Sequence, residues 1–143
     1  MKKIISNRVY DTATAQELAS YANGGSWRDF SHFEETLYRK KTGEYFLHGE
    51  GGAMTRYAEA VGQNEWSGGE RIMPLTYDEA SKWAQEHLDG DEYERIFGEV
   101  VEDDTRRTMH YSLSTTAVDK LRRLAQQSGK TASAYLDELI LSL

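Results

Sequence analysis

The sequence contains no cysteine and only one proline, and its apolar runs are short. The lack of cysteine excludes a disulfide framework and any zinc site with thiolate ligands. A segment that spans a bilayer needs about 20 apolar residues, and none is present. The first residues, MKKIISNRVYD, turn polar after two isoleucines, which is unlike a signal peptide. We therefore expect a cytoplasmic protein with no membrane partner.

The charge of the chain is negative and unevenly distributed. Its 24 acidic and 17 basic residues give a net charge of −7, which repels phosphate backbones and excludes a non-specific nucleic-acid binder. Residues 1–104 contain 21 acidic and 11 basic residues, whereas residues 105–143 contain 3 and 6. A shift in composition of this kind is typical of a module boundary. We predict one domain at residues 1–104 and a second at 105–143.

The second domain begins with a pattern that predicts a short strand. In Thr108–Leu113, TMHYSL, apolar and polar residues alternate, as in a strand with one buried face. The predicted inner face holds Met109, Tyr111 and Leu113, and the predicted outer face holds Thr108, His110 and Ser112.

Two capped helices are predicted after this strand. Ser114 or Thr115 is a suitable cap for a helix that runs through Gln127, and Gly129 suits the left-handed position that ends it. Thr131 caps the second helix, whose apolar residues recur at spacings of three and four. One strand and two helices cannot bury such a face alone, so we predict a homodimer. The predicted interface residues of the second helix are Tyr135, Leu136, Leu139 and Ile140.

These residues resemble a ribbon-helix-helix module, the small dimeric fold of Arc-type and MetJ-type repressors. The resemblance covers residues 108–143 and includes the segment LRRLAQQSGKTASAYLDELI, in which Ser-Gly-Lys-Thr separates the two helices. It implies that two strands, one from each subunit, enter the major groove of DNA. It also implies that the second helix binds phosphate with its N-terminal N–H groups. The implied DNA-binding residues, with two adjoining arginines, are Arg106, Arg107, Thr108, His110, Ser112, Thr131 and Ser133.

The predicted outer strand face departs from the usual pattern of this family. Arginine or lysine often occupies a reading position because either can make two hydrogen bonds to guanine, whereas this strand offers threonine, histidine and serine. Two interpretations therefore remain open for residues 105–143. The module either binds DNA, including DNA of its own promoter, or serves only as a dimerisation clasp.

For the first domain the patterns predict a mixture of strands and helices. We expect a strand at Lys3–Tyr10, a helix at Thr14–Ala22 and a hairpin formed by Glu35–Arg39 and Glu44–His48. The segment Thr76–Glu79 is a capping box that opens a helix, and a further helix follows. The predicted fold class is α+β: an acidic N-terminal α+β module followed by a C-terminal ribbon-helix-helix (β-α-α) dimerisation module.

No motif in the first domain indicates catalysis. His48 and Glu50 have the spacing of a zinc deaminase motif, but its cysteine ligands are missing. His32, Glu34 and Glu35 have the composition of an acid–base pair, although such residues more often form a solvated face. We predict no enzyme, no cofactor and no metal site, and an enzyme acting at His32 or His48 ranks third among the hypotheses.

Acidic side chains dominate the end of the first domain, where Asp89, Asp91, Glu92 and Glu94 are the predicted partner-binding residues. Residues 1–100, including ETLYRKKTGEYFLHGEGG and PLTYDEASKWAQEHLDGDEYERIFGEV, also resemble small proteins of mobile elements in Gram-positive bacteria. Some of these proteins are associated with anti-CRISPR activity. This resemblance implies a role in protecting the element from host defence.

Two functional hypotheses follow from the sequence. The first is a non-enzymatic anti-CRISPR or anti-defence inhibitor that binds the nucleic-acid-binding surface of a CRISPR effector, or another defence protein, through its acidic module. Its tail makes the homodimer and possible autoregulatory contacts with DNA. The alternative is a ribbon-helix-helix transcriptional repressor or antitoxin that binds its own operator.

Overall fold

The computed structural model describes residues 1–102 and 105–143 and shows a mixed α+β protein. Its contacts divide the chain into two compact units, Met1–Thr108 and Met109–Leu143. We call them the front unit and the tail unit. The predicted boundary, between residues 104 and 105, falls beside residues 103 and 104, which lie outside the described residues.

A four-stranded antiparallel sheet forms the centre of the front unit. Its strand order is β3-β4-β5-β8, and a long uninterrupted register joins its two middle strands. The predicted hairpin is confirmed, with longer strands and a turn at Lys40–Gly43. The sheet strands are β3 (Gln16–Ala22), β4 (Phe33–Arg39), β5 (Tyr45–Gly51) and β8 (Gly69–Leu75).

Two short hairpins accompany the sheet. The first joins β1 (Lys2–Ile5) to β2 (Arg8–Asp11), and the second joins β6 (Glu59–Gly62) to β7 (Glu65–Ser67). The prediction of one continuous strand at Lys3–Tyr10 was therefore wrong. Ser6 and Asn7 both adopt positive φ angles, of 52° and 62°, and this conformation is the one that tight hairpin turns require.

The predicted helix at Thr14–Ala22 was also wrong, because most of this segment is strand β3. Its apparent capping residue, Thr14, instead lies in the turn that follows β2. Leu18 is buried in the core, and Tyr21 packs against the same core cluster. Pairing with β4, which includes a bulge between Glu17 and Ala19, outweighs the local preference for a helix.

Helices α1 (Tyr77–His87) and α2 (Gly90–Phe97) follow the last strand. The capping box that opens α1 is confirmed, since the Thr76 and Glu79 side chains each accept a hydrogen bond from the other residue's backbone N–H. Both helices pack on one face of the sheet. The main core cluster contains Leu18, Leu37, Tyr45, Leu47, Ala80, Trp83, Ala84 and Ile96.

The tail unit contains helices α3 (Thr115–Gln127) and α4 (Ala132–Leu141). The predicted caps are confirmed: Ser114 accepts from the N–H of Ala117, and Thr131 from that of Ala134, each at 3.1 Å. None of the helices in the described residues is long and apolar enough to cross a membrane.

The predicted strand at Thr108–Leu113 does not form in the single chain, where this segment has no regular secondary structure. A strand is stabilised by hydrogen bonds to a neighbouring strand. The described part of the tail unit supplies only helices and loops, so the alternating pattern has nothing within its own unit with which to pair.

Gly49 offers a direct test of how closely the front unit is packed. A Cβ at this position would lie 2.0 Å from the Cζ atom of Tyr57. We expect Gly49→Ala to lower the free energy of unfolding by about 1–3 kcal/mol, as overpacking does. The control is Gly90→Ala, where no atom lies within 4 Å, and we expect it to be neutral or stabilising. Urea denaturation measures both variants, and an unchanged midpoint for Gly49→Ala would contradict the packing described.

Candidate dimer and nucleic-acid interface

The tail unit buries very little of its own apolar surface. Among the described residues of Met109–Leu143, only Ala125 is buried. The unit has no sheet to cover its helices, and a segment of this length cannot form an adequate core alone. Its apolar side chains are thus available to another surface.

The exposed apolar residues are those predicted to form the dimer interface. Tyr111 is 71% exposed and Ile140 is 58% exposed. Tyr135 alone in the predicted set is half-buried. Leu141 and Leu143 are exposed as well. The remaining exposed members of the predicted set are Met109, Leu113, Leu136 and Leu139.

The turn between α3 and α4 has the geometry that the sequence predicts. Gly129 adopts a φ angle of +67°, the left-handed conformation in which a side chain is unfavourable. Lys130 forms an ion pair with Glu138 of α4. Thr131 already uses its side chain in the helix cap, so its contribution to phosphate binding would come from the backbone at the start of α4.

The predicted DNA-binding residues occupy two places in the chain. Thr131 and Ser133 lie exposed at the start of α4. The others lie in the irregular segment before α3, all of them exposed: Arg106, Arg107, Thr108, His110 and Ser112.

The predicted partner-binding residues gather at the beginning of α2. Asp89 caps the helix by accepting a hydrogen bond from the N–H of Glu92 at 2.8 Å. Asp91, Glu92 and Glu94 are exposed. Carboxylates in this position favour the helix because they face the positive end of its dipole. Part of this acidic character therefore has a structural cause.

A row of glutamates crosses the sheet on the face opposite α1, and sequence reasoning did not identify it. Glu34, Glu50 and Glu70 lie side by side in the registers of β4, β5 and β8. His48 forms a 2.8 Å hydrogen bond to Glu70, and His32 one of 3.2 Å to Glu34. Neighbouring carboxylates repel each other. The predicted hairpin strands, Glu35–Arg39 and Glu44–His48, included neither Glu34 nor Glu50, and β8 was not predicted.

A second network, on the sheet face that α1 covers, is centred on the buried carboxylate of Glu35. The two oxygens of Glu35 accept hydrogen bonds from Arg56 Nη2 at 2.5 Å, Tyr57 Oη at 2.8 Å and Trp83 Nε1 at 2.7 Å. Burial, followed by the hydrogen bond to Glu35, raises the pKa of Tyr57. Three donors compensate the buried charge, so the network joins strand, loop and helix.

His32, Glu34 and Glu35 do not form the solvated trio that the sequence favoured. Glu34 and Glu35 are neighbours on β4 and therefore point to opposite faces of the sheet. His32 contacts Glu34, but its ring is only 4% exposed, and Glu35 belongs to the network with Tyr57.

A shallow groove of about 440 Å³ lies between β8 and α1, with Leu47, Met73, Leu75 and Trp83 among its apolar lining residues. In residues 1–102 and 105–143, no three histidine or carboxylate side chains gather to hold a metal ion.

Comparison with known proteins gives no relative from which a function is transferable. No family model, curated protein or solved structure matches this chain.

Proposed function

We propose that this protein is a homodimer that binds DNA through residues 105–143, as a ribbon-helix-helix regulator does. The observation that carries the proposal is the exposure of apolar side chains both on the alternating segment and on α4, in a unit with one buried residue. Apolar surface of this kind is stabilised by removal from water. A second copy is a suitable cover because a two-fold axis places the same apolar patch on both partners.

The alternating segment supports a ribbon rather than a contact between helices alone. Among the residues that the structure describes, no strand pairs with this segment, and Met109, Tyr111 and Leu113 are exposed. Pairing with the same segment of a second copy supplies backbone hydrogen bonds to both strands. It also places all six apolar side chains on one face, over the helices of the dimer.

The polar face of the ribbon, which the dimer core does not cover, supports the proposal of DNA binding. Thr108, His110 and Ser112 are polar and would project away from the dimer core, as a two-stranded ribbon in the major groove requires. Arg106 and Arg107 adjoin the ribbon and supply positive charge for phosphates. The start of α4 adds N–H groups with the orientation that anions favour. A dimer that binds no DNA would correspond to the alternative in which the module serves only as a dimerisation clasp.

A second proposal concerns the front unit, which would bind a basic surface of a defence protein such as a CRISPR effector. Two exposed sets of carboxylates support it: Asp91, Glu92 and Glu94 on α2, and the glutamate row on the sheet. Acidic surfaces of this kind attract and orient basic partners. Inhibition and autoregulation are compatible because they use different units of the chain.

Dimerisation is tested by placing a charge in the apolar face of α4. We expect Leu139→Asp to weaken the dimer by several kcal/mol, since the interface would contain an unpaired carboxylate. The matched control is Gln126→Asp, which adds the same charge at an exposed polar position of α3. Sedimentation equilibrium measures both. Equal association of the wild type and Leu139→Asp would contradict the proposed interface.

DNA binding is tested by fluorescence anisotropy with DNA from directly upstream of the gene, titrated with salt. The wild type is expected to resist competitor DNA and to lose affinity steeply as salt rises. His110→Ala is expected to cost about 1–3 kcal/mol of specific binding, and Arg107→Ala to reduce the salt slope by about one. Lys82→Ala, an exposed change on α1, is the control. A dimeric protein that binds no DNA at low salt would contradict the proposed DNA binding and favour the alternative in which residues 105–143 are only a dimerisation clasp.

Partner binding by the front unit is tested by replacing three carboxylates of α2 with neutral amides. The triple variant Asp91→Asn, Glu92→Gln and Glu94→Gln is expected to raise the concentration for half-inhibition of a CRISPR nuclease about tenfold, equivalent to about 1.4 kcal/mol. The control neutralises Glu59 and Glu65, which are exposed on the β6–β7 hairpin. A wild type that neither binds nor inhibits the effectors of its host would overturn the proposal.

A further inference from the structure

His32 occupies an unusual position for an ionisable side chain. Its ring is 4% exposed and lies at the end of the segment that connects β3 to β4. Nδ1 is 2.6 Å from the carbonyl oxygen of Gly24, and Nε2 is 3.2 Å from Oε1 of Glu34. The two ring nitrogens therefore join the start of this segment to the strand that follows it.

The chemistry of the two neighbours defines the protonation state that fits this site. A backbone carbonyl and a carboxylate are acceptors and have no proton to donate. Neutral imidazole has one N–H group, so it satisfies only one of these neighbours and turns a lone pair toward the other. Imidazolium has two N–H groups and satisfies both. The geometry fits a positively charged His32.

The segment between β3 and β4, which the His32 ring contacts at Gly24, carries an exposed aromatic surface. We call residues 23–31 the aromatic loop, because Trp27 and Phe30 are 54% and 67% exposed. The Trp27 ring packs edge-on against His32, with 4.5 Å between ring centroids. Phe30 accepts a 2.8 Å hydrogen bond from the N–H of Met54, whose side chain is also exposed.

Other contacts hold the two ends of the aromatic loop and its second half, where the carbonyl of Asp29 accepts from the N–H of His32. The Asn23 side chain donates to the carbonyl of Ser31 and accepts from the N–H of Phe33. Within the loop, the N–H of Asp29 donates to the carbonyl of Ser26. The hydrogen bond from His32 to Gly24 is thus a side-chain contact that fixes the first turn of the loop, directly before Trp27.

We infer that protonated His32 holds the first turn of the aromatic loop, and with it the exposed ring of Trp27, in place, and that loss of the proton releases this turn. Loss of the proton leaves the ring one N–H group, so the Gly24 carbonyl and the Glu34 carboxylate then compete for it, and the bond to Gly24 is weakened. It also removes the positive charge beside Glu34. The device is reversible because only a proton is exchanged.

The charged groups around the ring favour the protonated form. The backbone hydrogen bond to Gly24 raises the pKa of His32, burial opposes it, and the hydrogen bond and charge of Glu34 raise it further, followed by the charge of Asp29. Glu50 of β5 lies opposite Glu34 in the sheet register. The segment after β5 contributes a backbone contact, from the N–H of Gly52 to the His32 carbonyl.

The direction of the pH dependence follows from this raised pKa. The folded protein holds the proton more tightly than the unfolded chain does, so the stabilisation is complete below the ordinary histidine pKa of 6.5. It is lost as the pH rises through the higher pKa of the folded state. The first turn of the aromatic loop is therefore held at a pH below the raised pKa of His32 and loosened above it.

The test is NMR of the full-length protein over a pH titration, with the ring nitrogens and the loop amides followed together. Two protonated ring nitrogens are expected for His32 below pH 6.5. The amide signals of Gly24 and Trp27 should shift with the same midpoint as the ring, above pH 6.5. His32→Gln should abolish this transition. His48→Gln is the control, because His48 bonds Glu70 on the outer sheet face, and it should leave the loop transition unchanged.

A second variant keeps the test decisive if His32→Gln fails to fold. Glu34→Gln retains the histidine but removes the negative charge, so the midpoint of the ring and of the loop signals should fall together. A His32 that is still neutral below pH 6.5, with one protonated ring nitrogen, would overturn the inference. Loop signals that stay constant while His32 titrates would overturn it equally.

Discussion

The apolar surface of the tail unit has no cover within that unit, and this constraint underlies the proposed function. Helices α3 and α4 are well capped and joined by a glycine in the left-handed conformation, so local interactions define them. Caps contribute only about 1 kcal/mol each, whereas burial of one large apolar side chain contributes about 1.5–3 kcal/mol. In the proposed dimer, a second copy would supply this missing term and would also give the alternating segment a strand with which to pair.

The front unit, in contrast, buries its apolar surface within a single chain. Its sheet is covered by α1 and α2 on one face, and Tyr10 of the first hairpin packs with Phe46 and Ile72 on the other. At the helix-covered face, a buried carboxylate receives three hydrogen bonds, from Arg56, Tyr57 and Trp83. Removal of one donor would leave part of this charge uncompensated. The front unit is therefore a rigid support on which the acidic residues and the aromatic loop are displayed.

Sequence reasoning identified the elements whose signals are local. The capping residues Thr76, Ser114 and Thr131 each begin a helix as predicted, and the hairpin of β4 and β5 has the predicted turn. It failed where long-range pairing decides the outcome, as at Gln16–Ala22, which is a strand because β4 lies beside it. It also missed the Glu35 network, because Trp83 is 48 residues away in the chain and no spacing rule connects the two. The apolar face of α4 was evident from its spacing, but a single chain does not show what covers the exposed members of that face.

The most direct test of the account is an isotope-filtered NOE experiment on a mixture of labelled and unlabelled full-length protein. It detects contacts between two copies and ignores those within one. The account predicts contacts between residues 108–113 of one copy and the same residues of the other, in a particle of twice the 16.3 kDa mass of one chain. A monomeric particle, or a dimer in which these segments make no contact with each other, would contradict it.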